Sequence, residues 1–138
     1  MILCGVFIMS SSALSPQVLD ELALAAYAAV VSDGVDRSQV NKLIEVLEST
    51  RNTDYLLAYI ARQVGRGMWG RSYHSASKLY ELLKGKSVEE ARTILGLFKW
   101  LYEAGSNKLR QLRQLRASFR GQAPRGFFYT YLSATLSP

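Results

Sequence analysis

Apolar side chains recur along most of this 138-residue chain at three- and four-residue spacing, and only the last fifteen residues could be read as alternating. A three-to-four-residue period gives each segment one apolar face, so the pattern predicts an all-α bundle of five to six helices. The gaps between periodic segments are short, which leads to the expectation that consecutive helices pack as antiparallel neighbours. Ser15-Pro16 places a capping side chain before a proline at the first helical position. Val18, Leu19, Leu22, Ala26 and Val30 then follow at helical spacing as far as Asp33-Gly34. This helix carries almost no charge after Glu21, which predicts a central position surrounded by others. Asp20-Glu21 reads as charge complementing a helix dipole, as Glu89-Glu90 does further on.

The second helix is expected to open with a capping box of Asp36 and Gln39 and a hydrophobic staple of Val35 and Val40, and to bury Val40, Leu43, Ile44 and Leu47. Asn52 or Thr53 caps a third helix through Leu56, Leu57, Ile60, Ala61 and Val64, with Gly65 placed as its left-handed terminator. A fourth runs from Ser72 to Leu83 and stops at Gly85, burying Ala76, Leu79, Tyr80 and Leu83. Ser87 and Glu90 form a second capping box, and Ala91, Ile94, Leu95, Phe98, Leu101 and Tyr102 make a broad stripe before Gly105. The sixth helix spans Asn107 to Arg120. The organisation that results is a flexible or loosely packed N-terminus over residues 1–15, a helical domain over 16–120 and an apolar, aromatic tail over 121–138. The tail reads as a strand, a short helix or an extended arm, and its side chains require cover from the bundle or from a partner.

Charge divides the chain. Residues 1–61 hold three basic and seven acidic side chains and residues 62–138 hold fourteen and four, a split of −4 and +10 behind the net +6. Clustered cations of this kind point to a polyanionic partner, because they raise both association rate and counterion release. The densest run is Lys108-Leu-Arg110-Gln-Leu-Arg113-Gln-Leu-Arg116-Ala-Ser-Phe-Arg120. On a helix at about 100° per residue, Leu109, Leu112, Leu115 and Phe119 form one seam, and Arg110, Arg113, Arg116 and Arg120 form an adjacent stripe. Like charges so spaced repel by a few tenths of a kcal/mol per pair unless acids, water or an anionic ligand answer them. Phosphate suits guanidinium best, although a solvated charged face without a ligand is the plainer reading of such a run.

A glycine-rich basic loop, Gly65-Arg66-Gly67-Met68-Trp69-Gly70-Arg71, supplies a second candidate surface with Arg62 one turn before it and Tyr73 and His74 just after. Glycines allow close approach of backbone, arginines bind phosphate, and Trp69, if exposed, stacks on an unpaired base; the competing reading has Met68 and Trp69 plugging the core. The loop is not a P-loop, since no Lys-Ser/Thr follows glycines at the required spacing. Arg62, Arg66, Trp69, Arg71, Lys108, Arg110, Arg113, Arg116, Arg120 and Arg125 are therefore the candidate nucleic-acid-binding residues.

Other classes find little support. His74 is the only histidine and Cys4 the only cysteine, so an intrachain disulfide is impossible and the usual four-ligand zinc site lacks its donors. No acid stands near His74 in sequence, and no cofactor or catalytic residue is implied. The apolar run Ile2–Met9 lacks a basic leader and is too short to span a bilayer. It reads as a gene-start artefact upstream of Met9, as a segment packed on the core, or as a short targeting element. The expectation is a soluble, cytoplasmic, non-enzymatic protein.

Two segments, Asp54-Tyr-Leu-Leu-Ala-Tyr-Ile-Ala-Arg-Gln-Val-Gly-Arg66 and Ser87-Val-Glu-Glu-Ala-Arg-Thr-Ile-Leu-Gly-Leu-Phe-Lys-Trp-Leu-Tyr-Glu103, about a third of the chain, give it a resemblance to the small helical subunits of CRISPR effector complexes. The likeness lies in size, helical layout and basic character, without a signature motif. It implies a non-catalytic antiviral-defence protein, several copies of which line up along a guide RNA–target duplex beside other subunits. The functional expectation is thus binding of RNA or single-stranded nucleic acid through its backbone in a ribonucleoprotein complex, with possible homo-oligomers. The alternative is an assembly subunit docking through its apolar tail and basic helix.

Overall fold

The computed structural model describes residues 14–138. The expectation for the apolar run Ile2–Met9 falls outside them. Seven helices and no strand are present among the described residues, so the chain is an all-α bundle. They are α1 (Pro16–Tyr27, continued by a π-helical turn, Ala28–Asp33), α2 (Arg37–Thr50), α3 (Thr53–Gly65), α4 (His74–Leu83), α5 (Val88–Ser106), α6 (Leu109–Arg113) and α7 (Phe127–Thr135).

The uncharged length of α1 makes it the hub. Leu22 through Ala29 are sealed from solvent, and α4, α5 and α7 all pack against this helix. Neighbours in sequence pair as expected only in part. Helices α2 and α3, and α3 and α4, lie together, whereas α4 and α5 meet chiefly through α1. The fully buried leucines, among them Leu22, Leu43, Leu56, Leu79 and Leu83, each contribute about 1.5–3 kcal/mol of transfer free energy.

Local signals were realised where the partners lie within one turn. Ser15 Oγ accepts from the Val18 N–H at 3.2 Å, and Asn52, not Thr53, caps α3 by accepting from Tyr55. The Ser87–Glu90 capping box is complete in both directions, and the predicted stripe of α5 is buried throughout. At α2 the capping box is replaced. Asp36 accepts from the Ser38 hydroxyl and from the Ser38 N–H, which together hold its carboxyl below the usual range, while Gln39 turns inward and accepts from Gln63 Nε2 at 2.8 Å. The left-handed terminator of α3 is Gly67 instead of Gly65. Gly67 adopts φ +71°, its N–H bonds the Val64 carbonyl and the Met68 N–H bonds that of Gln63, the paired bonds of a Schellman turn. Helix α4 starts at His74, two residues later than expected, and Tyr80 lies on its exposed face while Leu82 is buried in its stead.

The sixth helix departs most. It holds only from Leu109 to Arg113, and Arg116 then takes φ +53°, a left-handed conformation costing an arginine about 1–2 kcal/mol. Competing tertiary bonds account for the break. The Ala117 N–H donates to the buried Tyr27 hydroxyl at 3.2 Å, and Phe119 stacks on Tyr27 at 5.3 Å, neither of which a continuous helix could reach.

The tail is the short helix of the three alternatives, and it belongs to the bundle. Phe127 and Tyr131 are buried, and the Tyr131 hydroxyl donates to the Leu101 carbonyl at 2.7 Å. Asp20 and Glu21 explain its seat. Asp20 accepts from the N–H groups of Gly126 and Phe128 at 3.0 and 2.9 Å, and Glu21 accepts from Ala123 and Lys78, both at 2.8 Å. The pair therefore caps α7 and its approach, in place of the expected service to the dipole of its own helix.

Gly105 lies inside α5 instead of ending it. A methyl group there would strike the Tyr131 hydroxyl and come within 2.8 Å of Leu112 Cδ1. Gly105→Ala is expected to destabilise the fold by about 2 kcal/mol in urea unfolding, within the range for overpacking. Adding Tyr131→Phe, which removes the obstructing oxygen, is expected to recover part of that loss; strictly additive costs would refute the contact.

Candidate nucleic-acid interface

Trp69 is not a platform. It is 1% exposed, and its Nε1 donates to Ser75 Oγ at 2.8 Å. Behind it, Asp33 is fully buried at the end of the π turn, accepting from the Ser75 N–H at 2.8 Å and from both the Ser75 and Ser72 hydroxyls. Gly70 folds its backbone against the Asp33 carbonyl, which accepts from the Arg71 N–H at 2.7 Å. The glycine-rich loop is thus a plug for the core and a brace for the start of α4. Met68, the other half of the expected plug, remains half exposed.

The arginines divide into groups. Arg62 and Arg66 are exposed at the end of α3, and Arg62 bonds the side chain of its neighbour Gln63 at 3.5 Å. The Arg71 guanidinium lies against Gly34, just beyond the π turn on which α6 packs, and α6 carries the exposed Arg110 and Arg113. Arg116 and Arg120 are exposed but lie past the break, so the four-arginine stripe does not exist as one face. Lys108 is half-buried and donates to the Ser137 carbonyl at 2.7 Å, anchoring the chain end. Arg125 lines a separate hollow with Gln17, Asp20 and Gln122.

Loop and ladder nonetheless meet. Phe119 stacks on His74 at 5.4 Å, and His74 stacks on Tyr73 at 5.8 Å, so one column of near-parallel rings runs from the buried Tyr27 through Phe119 and His74 to Tyr73. Arg120 lines the same groove of about 450 Å³ as Tyr73, His74, Lys78 and Glu81. A second, more apolar hollow shares Tyr73 and Ser77 and is walled by Leu57, Ala61, Val64 and Tyr80. Tyr73 carried no signal of periodicity, and Phe119 carried only that of the leucine seam on a continuous sixth helix, which breaks before reaching it. The mark of Tyr73 in sequence is its adjacency to the basic loop and His74.

Of the fourteen basic side chains in residues 62–138, Lys78 and Arg92 alone form ion pairs among the described residues, with Glu21 at 2.8 Å and Glu48 at 2.6 Å. The Arg92 pair holds Glu48 below the usual carboxylate range. No group of three or more His, Cys, Asp and Glu side chains is placed to hold a metal ion among the described residues. No described helix is long and apolar enough to cross a membrane.

Fold and surface together define a small helical bundle whose second half presents largely unpaired cations beside an aromatic column. Comparison with protein-family models and with curated proteins gave no match for the chain.

Proposed function

We propose that this chain is a non-enzymatic module that binds RNA or single-stranded nucleic acid through its phosphate backbone, as a small cytoplasmic subunit of a ribonucleoprotein complex. The observation that carries the reading is the excess of arginines without carboxylate partners among the described residues, including Arg62, Arg66, Arg110, Arg113, Arg116 and Arg120, on a domain whose acids Asp20, Glu21 and Asp33 are taken up by internal bonds. Unpaired guanidinium groups are matched to phosphate oxygens, and their number sets the salt dependence of binding. The resemblance to small subunits of CRISPR effector complexes supports the same assignment. Copies aligned along a duplex would place the basic half on the nucleic acid and leave other faces for protein contacts. A docking role is favoured by Trp100, 72% exposed beside a hollow formed by Leu14, Leu19, Gly96 and Leu97.

Affinity for a generic single strand across a salt series tests the proposal. Neutralising four or five phosphates gives log K against log salt a slope of about −3. Arg110→Ala with Arg113→Ala is expected to weaken binding to all sequences alike and to lower the slope by about one and a half. Unchanged affinity in that double variant would move the contact to the Arg62–Arg71 side, and a flat salt dependence in the parent would leave the protein-docking role.

A further inference from the structure

An aromatic column that begins in the core and ends in solvent has an unfinished last member. Tyr27 is buried, Phe119 and His74 are half-buried, and Tyr73 is 62% exposed, so the ring order is also an order of increasing exposure. Three successive stacked pairs fix the plane of Tyr73 to within about 30° of its neighbour, which holds the outer ring ready for one more planar group without further ordering.

We infer that Tyr73 is the seat of one unpaired nucleobase, with the phosphate next to it held by Arg120; the inference rests on the nucleic-acid reading above and names a subsite within it. Chemistry around the groove fits that ligand better than a bare anion. Among the described residues Arg120 is its one cation without a protein partner, because the Lys78 ammonium is held by Glu21 and the Gly121 carbonyl. Glu81, on the same wall, repels a second phosphate and offers an acceptor to the exocyclic amino group of a base. The site takes over the role that the loop sequence suggested for Trp69, which is inside. A protein aromatic side chain on Tyr73 is the rival occupant, and it would not depend on Arg120.

Binding of the full chain to a fluorescein-labelled single strand of about ten nucleotides, and to an abasic ribose-phosphate strand of the same length, tests the subsite. The parent is expected to prefer the base-bearing strand by about tenfold. Tyr73→Ala is expected to lose that preference while keeping its affinity for the abasic strand, and Tyr73→Phe to retain it. Tyr73 being exposed, its melting temperature serves as the control for folding. In the parent, 2-aminopurine within the strand is expected to be quenched on binding. Equal affinity of the parent for both strands, with a normal salt slope, would overturn the subsite and leave backbone binding standing. Failure of the parent to bind either strand at low salt would overturn both.

Discussion

Trp69→Ala is expected to lower the melting temperature by about 10–15 °C while leaving the affinity of the folded protein for nucleic acid unchanged. Truncating a sealed tryptophan removes its apolar burial and leaves a cavity, together about 3–5 kcal/mol. The indole also fixes the Ser75 hydroxyl by donating to it at 2.8 Å, so the cost extends to the start of α4. Trp69→Phe, which retains most of the volume but loses the N–H, is expected to cost about 1 kcal/mol for the hydrogen bond on top of the smaller burial. Loss of binding with an unchanged melting temperature would restore the indole as a stacking surface and refute its burial.

Asp33→Ala is expected to destabilise the fold by about 3 kcal/mol, read as a fall in the urea midpoint at constant m value. The first residues of α4 need acceptors for their N–H groups, and its own cap residue, Tyr73, supplies none. Asp33 supplies one from 42 positions upstream, at 2.8 Å to the Ser75 N–H, and its charge faces the positive end of the helix. Asn at this position keeps an acceptor for Ser75 and presents an amide donor to the Ser72 oxygen, so Asp33→Asn is expected to cost about 1 kcal/mol. Equal losses for the two variants would show that the network depends on the carboxylate charge instead of on hydrogen bonding alone.

These two residues also mark where reading from sequence stops. Periodicity and caps that close within four positions were legible, as the complete Ser87–Glu90 box and the buried stripe of α5 show. Gln39 had the right spacing for a box and was claimed instead by Gln63, a partner 24 positions away. Asp20 and Asp33 each cap a helix other than their own, and no local window contains both ends of such a bond. The Leu–Arg period continues through Arg116, but the helix it predicts ends early because Tyr27 takes the Ala117 N–H and Phe119 for the core side of the molecule. Trp69 sat in a loop without a period, so the sequence left platform and core plug both open, and the fold settles it as the plug. The candidate site was half legible for the same reason. Its arginines were visible as charge, whereas the ring column needed Phe119 and His74, 45 positions apart, to be brought together by the fold.

The bonds from Asp20 and Glu21 to the N–H groups of residues 123–128 span 102 to 108 positions. During synthesis α1 leaves the ribosome before the other described helices, and the helix that covers one of its faces is made about a hundred residues later. Closing a loop of that length costs about 4 kcal/mol of chain entropy plus a constant, which the three charged hydrogen bonds and the burial of Phe127 and Tyr131 must exceed at once. One face of helix α1 therefore stays open until α7 arrives, and assembly of the bundle ends as a latch that only the chain through Thr135 can close.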